Sequence, residues 1–425
     1  MQLNKIKLHS CTTFASAQSQ ITLDDDYNVP DYRPDIVKVL KEKGELQFDE
    51  VKAAAGAAWL KGRLVFKVLY RSDQDNAKIS CLKGEIPFQE KLNMDGVQEY
   101  DVIQASGEIE DLTIGVIHSR KISVRAVILL KAEEPREKED ELCVGIEADD
   151  GCEKRYRNTK ILQLLCMKRD QCRQKSEITL PSSKPNVQEI LWKSLEIRNL
   201  DTKMGQDGVK LSGEVLISVL YQEEEETDRV QWYETVIPLD CGVECDAGTE
   251  ADIIYKVKAG PASMELEVKP DYDGEERVLV LELVMNLDIR VWKEQEISML
   301  EDVYSLKKEI IPVCTGVTLH HISVKNDSQC RLTEQMELAE SQEKILQICS
   351  CEGTVHLEST ELTGQGVRAE GILVTELLYI TTDDQMPIGS AREIYPFEQL
   401  IEIPQQTART ERNKPEELEA LERKN

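Results

Sequence analysis

The chain repeats itself. Pro30, Pro34, Gly62, Tyr70 and Pro87 recur as Pro181, Pro185, Gly213, Tyr221 and Pro238, each 151 residues further on. Leu40 and Leu191 keep the same offset. A third set, Gly371, Tyr379 and Pro396, follows 158 residues after the second. Glycine precedes tyrosine by 8 residues in all three sets, and tyrosine precedes proline by 17. Matches held at one offset across a long pattern mark duplicated folding units. The third set lacks the two prolines that open the others.

The local patterns predict what one unit looks like. Pro34 and Pro185 suit the first position of a helix, where a missing N–H costs nothing. Ile36, Val39 and Leu40 then fall at i, i+3 and i+4, as do Val187, Ile190 and Leu191, which is the spacing of one helical face. In the third copy Ile345, Ile348 and Cys349 repeat it, with Ser341 as the expected cap. After the glycine the period changes to two. Leu64, Phe66, Val68 and Tyr70 share one face, matched by Val215, Ile217, Val219 and Tyr221, and by Leu373, Thr375, Leu377 and Tyr379. A half-solvated opposite face argues for antiparallel sheet. The prolines at 87, 238 and 396 are expected to end the ladder or lie on an edge strand.

The fold expected is therefore mainly β: three tandem small β-sandwich or barrel-like domains, each with one short helix, the third incomplete. The expected divisions are copy one over 1–131, a charged linker over 132–160, copy two over 161–300, and a truncated copy three over 301–425 with a polar C-terminal tail. Lys293 to Glu309 is expected to bridge copies two and three, with a strand as the alternative.

Composition narrows the partners. The net charge of -28 repels phosphate backbones and anionic membrane surfaces, so neither nucleic acid nor membrane is an expected partner. No apolar run approaches a membrane span, and no secretory leader is read at the start, so a cytoplasmic chain is expected. The 12 cysteines follow no framework, which in the cytosol reads as buried or idle thiols.

Catalytic signals are sparse. There are five histidines, no phosphate-cradling glycine loop and no nucleophile elbow. Cys349, Cys351 and His356 form the best metal candidate, but the spacing is wrong for structural zinc. Cys241 and Cys245 read as loop thiols. Aromatics make up 5% of the chain, too few for the sugar cleft of a β-sandwich glycosidase with paired carboxylates. No enzyme activity, metal, cofactor or small-molecule ligand is expected.

The segments Val29 to Leu40, Gly62 to Tyr70 and His118 to Val124 resemble the SPOCS domains of spore-forming Clostridia. Copy one matches through Pro30, Asp31, Pro34, Asp35, Gly62, Tyr70, Arg120 and Lys121. Copies two and three match the strand well and the opening segment partly. That family includes a clostridial spore-coat morphogenetic protein, in which such domains precede a LysM domain. The resemblance implies a sporulation role in the mother cell, at the forespore surface. No LysM segment is expected after Pro396, so partner binding through one is not carried over. The function expected is a non-enzymatic assembly protein of the spore coat, acting on coat proteins or by self-association. A wall- or glycan-binding module and an acidic-cleft hydrolase are the alternatives.

Overall fold

The computed structural model describes residues 2–72, 79–147, 152–205, 207–224, 229–245, 253–306, 344–383 and 387–403, with part of the stretch between 309 and 338. Among these residues every regular element is a β-strand. The chain divides into two compact units, one spanning Met1–His321 and a smaller one that includes Ile322–Ile380.

Copy one contains β1 (Gln2–Asn28), β2 (Ile36–Ala54), β3 (Ala57–Ser72), β4 (Ile79–Asn93), β5 (Gln104–His118) and β6 (Lys121–Glu147). They form two antiparallel three-stranded sheets, β2-β3-β4 and β1-β6-β5. One core joins them. Leu60, Leu64, Phe66, Val68 and Tyr70 from β3 meet Ile122, Val124, Ala126, Ile128 and Leu130 from β6. Both sets are spaced by two, so each central strand turns one whole face to the core.

Copy two repeats this with β7 (Cys152–Thr179), β8 (Val187–Gly205), β9 (Gly208–Glu223), β10 (Val230–Glu244), β11 (Ile253–Pro270) and β12 (Glu276–Ser305). Its sheets are β8-β9-β10 and β7-β12-β11, and its core sets Val215, Ile217, Val219 and Tyr221 against Leu279, Leu281, Leu283, Met285 and Leu287. Copy three contributes one sheet, β13 (Ile345–Leu362), β14 (Gly366–Thr381) and β15 (Ile388–Glu402), with β14 central.

The expected opening helices are strands. Residues 36–40 and 187–191 begin β2 and β8, and Ile345 to Cys349 begin β13. The reason lies in register. β2 breaks step with β3 between Ile36 and Lys38, and again between Val39 and Lys41. Ile36 and Val39 therefore stand opposite Ser72 and Tyr70, three residues apart on one strand and two on the other. β8 has the same two breaks, setting Val187 and Ile190 opposite Glu223 and Tyr221. Each bulge inserts one residue, so two in succession reproduce the spacing of a helix face in extended chain. The β-branched run Ile36-Val37-Lys38-Val39 favours that outcome. Ser341, the expected cap, lies outside the described residues.

Residues 132–141, expected as a linker, are the continuation of β6 and pair with β1 from Ala17 to Lys7. Beyond residues 148–151, which are not described, β7 runs on paired to β12 as far as Cys152 opposite Ser305. Lys293 to Ser305 is thus strand. The ends of these long pairs are two-stranded ribbons, and they meet through Leu8, Leu142 and Ile161, with Ile6, Ile297, Met299, Val317 and Leu319 alongside. A ribbon wet on most of its surface has the charged composition of a linker, which is why composition misreads it. The tail expected over 405–425 lies outside the described residues.

Candidate interaction surfaces

The opening prolines and the tyrosines singled out by the repeat meet at one corner of copies one and two. Pro30 and Pro181 open tight turns, closed by Arg33 N–H to Pro30 O and by Lys184 N–H to Pro181 O, both at 2.9 Å. Pro34 and Pro185 follow, and their carbonyls accept the buried hydroxyls of Tyr70 at 3.0 Å and Tyr221 at 3.2 Å. Tyr379 is equally buried at the matching place on β14. Burial pushes the Tyr221 phenol up to about 12, and Tyr70 moves the same way for the same reason. Pro87, Pro238 and Pro396 lie in β4, β10 and β15, each an outer strand of its sheet.

Arg120 clamps the turn in copy one. Its guanidinium donates to the carbonyls of Val29, Pro30 and Arg33 at 3.1, 2.9 and 2.6 Å, and to the Asp35 carboxylate at 3.1 Å. Bonds from Ser119 and Arg120 hold the Asp35 carboxyl below the usual carboxylate range. In copy two Arg277 does the same work, donating to Pro181 O at 2.7 Å, Lys184 O at 2.9 Å and Asn186 Oδ1 at 2.9 Å. A planar five-donor fork suits a cluster of carbonyls that no lysine ammonium could span. Arg120 is among the residues that carry the family resemblance, and Arg277 is not. Each stands at the start of the long strand that completes the second sheet, Arg120 just before β6 and Arg277 as the second residue of β12.

The mid-strand glycines have a different cause. A Cβ on Gly62 would strike the Gln47 carbonyl oxygen across the strand, and one on Gly371 would strike that of His356. On Gly213 it would stand 3.0 Å from the Arg198 carbonyl oxygen. Each glycine admits a close strand approach, next to a break of register in copies one and two.

Copies one and two are joined by side chains. Arg33 makes two bonds to Glu189, at 2.7 and 3.1 Å, and the Lys41 ammonium sits 5.9 Å from the Trp192 ring centroid. Lys193, half-buried near the same seam, has its pKa lowered by desolvation.

The cysteine and histidine candidates take these places. Cys349, Cys351 and His356 all lie on β13, and no group of three or more potential metal ligands is gathered among the described residues. Cys241 lies on β10 rather than in a loop, and it is bonded to Cys172 of β7. The reading of the cysteines as idle thiols fails there, because spacing along the chain cannot reveal which strands of two facing sheets come side by side.

Copy three differs from the others at its inner face. Val355 matches Leu46 and Ile197, which pack against their cores, yet it is 56% exposed. Ile345 matches the buried Ile36 and Val187 and is 39% exposed. Leu373, Thr375 and Leu377 are only half-buried where their counterparts in copies one and two are fully covered. Among the described residues this sheet has no second layer.

A family model for the SipL SPOCS domain matches residues 35–117, 186–269 and 344–419, together more than half of the chain. The chain belongs to the SipL SPOCS-domain family. The matched stretch of each of the first two SPOCS copies covers β2 to β5 and β8 to β11, so β1, β6, β7 and β12 complete the SPOCS cores from outside it. Comparison with curated proteins and with solved structures found no match.

Proposed function

We propose that this SPOCS-domain chain is a non-enzymatic assembly protein of the spore envelope, working at the forespore surface in the mother cell by protein–protein contact. Membership of the SipL family supports the sporulation setting. The observation that carries the assembly role is the inner face of copy three. Its stripe of Val355, Leu373, Thr375 and Leu377 bears no charge, on a chain whose net charge is -28. In copies one and two the matching face is covered by a second three-stranded sheet with an aliphatic stripe.

The occupant on this reading is a second copy of the chain, docked through the same face. Two aliphatic sheet faces are self-complementary, and a two-fold pairing rebuilds the two-layer arrangement of the other copies. With strands of 15 to 18 residues, three strands present about 700 Å² at ~3.3 Å per residue and ~4.8 Å per strand. That is close to the roughly 800 Å² per partner of a stable interface.

Sedimentation of the full chain tests this. A concentration-dependent dimer is expected, reduced to monomer by the double substitution Val355→Glu and Leu373→Glu with its β circular dichroism unchanged. A wild-type chain that stays monomeric at high concentration, whether its face is covered by its own residues or by a coat protein added to it, would overturn the self-association. So would a dimer indifferent to the substitutions.

A further inference from the structure

The two sheets of copy two meet at a seam that has no backbone ladder. β7 is the outer strand of β7-β12-β11, and β10 is the outer strand of β10-β9-β8. They are tied by side chains. Gln174 donates to Pro238 O at 2.7 Å, Lys168 donates to Glu244 O at 2.8 Å, and the Cys172–Cys241 disulfide crosses between these bonds.

A second pair of sulfurs spans the same two chain segments. Cys166 of β7 and Cys245, the residue after β10, bring their Sγ atoms to 3.3 Å. Cys245 is buried and Cys166 half-buried. The pairs run in antiparallel order, 166 with 245 and 172 with 241, so both crosslinks fit the same alignment of the two segments.

We propose that Cys166 and Cys245 form a second disulfide, and that copy two is a redox-stapled domain. The reaction is thiol–disulfide exchange. One thiolate attacks a low-molecular-weight disulfide and releases one of its thiols. The second thiolate then displaces the other. The two cysteines lose two protons and two electrons in forming the S–S bond, and the oxidant leaves as two thiols. Made in a reducing cytosol, the chain holds all four sulfurs as thiols; on reaching an oxidising setting it closes the seam. Copy one has no such pair. Its seam between β1 and β4 is held by a hydrogen bond from Ser19 to Glu90 at 2.9 Å, so the staple is a property of copy two.

The test is peptide mapping by mass spectrometry without reduction, on full-length chain purified with reductant and then equilibrated with oxidised glutathione. Expected are two crosslinked species, Cys166–Cys245 and Cys172–Cys241, and a severalfold longer lifetime of copy two under protease than in the reduced chain. The double variant Cys172→Ser and Cys241→Ser is expected still to form Cys166–Cys245, which keeps the test independent of the first bond. Full alkylation of Cys166 and Cys245 after oxidation, in denaturant, would overturn the proposal. So would crossed pairing such as Cys166–Cys172, or one zinc bound per reduced chain with loss on substitution of Cys166.

Discussion

Lys41 and Trp192 occupy the same place in successive copies, 151 residues apart, and they meet, the ammonium 5.9 Å from the indole centroid. Both are buried. A duplicated position has thus become the two sides of one contact. Trp192→Ala is expected to destabilise the joined copies by about 3–5 kcal/mol, the usual cost of emptying a buried aromatic site. Lys41→Met keeps the apolar stem and removes the ammonium with its cation–ring attraction, so it is expected to cost less than the loss of the ring, about 2 kcal/mol. Urea unfolding of the two variants checks the ranking; an equal loss would mean that the charge, not the ring, holds the seam.

The neighbouring Arg33–Glu189 pair is partly exposed, with side-chain exposures of 24% and 39%. A double-mutant cycle with Arg33→Ala and Glu189→Ala is expected to give a coupling of about 1 kcal/mol, shrinking in high salt. Arg33→Lys should recover only part of it, because a lysine cannot make both bonds.

Replacing Arg120 takes a charged donor away from five oxygens. Arg120→Ala is expected to cost about 1.5–3 kcal/mol, as for hydrogen bonds to a charged group. Arg120→Lys should restore less than half. The same pair of substitutions at Arg277 should rank alike in copy two, measured by thermal unfolding.

Alkali should weaken the fold through its buried tyrosines. The Tyr221 phenol, pushed up to about 12 by burial, keeps its proton in the folded chain while the unfolded one loses it near pH 10. Its stabilisation is therefore complete below about pH 10 and falls as pH rises toward 12. Tyr221→Phe should lower stability at neutral pH by about 1 kcal/mol, the worth of its bond to Pro185, and flatten the alkaline decline. A decline as steep in the variant would assign the pH dependence elsewhere.

Alanine at the three equivalent glycines should not cost the same. Gly62→Ala and Gly371→Ala drive a Cβ into a backbone oxygen, whereas Gly213→Ala meets one at 3.0 Å and needs a small shift. The first two are expected to lose about 3 kcal/mol, the upper end of the usual cost of overpacking, and the third less. Soluble yield and melting temperature read the order.

The duplication, the central strands and the edge-strand prolines were legible because period two and a fixed offset survive in one dimension. Ile36 and Val39 were misread because two bulges imitate a helical step; a run of β-branched residues was the available counter-signal. Arg277 could have been found by aligning the start of each long strand. Cys166 and Cys245 could not, since their meeting depends on which outer strands of two sheets come side by side. That copy three is incomplete was legible from its spacing, but which side chains its described residues leave uncovered was not, because Val355 and Ile197 belong to the same pattern and differ only in what lies over them.

The apolar knot where the ribbon ends meet, through Leu8, Leu142 and Ile161, has a consequence for how the chain is divided. A cut within 132–147 severs β6, one within 152–160 severs β7, and either parts the residues of that knot. The stretch that evolution multiplied is therefore shorter than the block that must fold at once, and copies one and two should melt in a single transition.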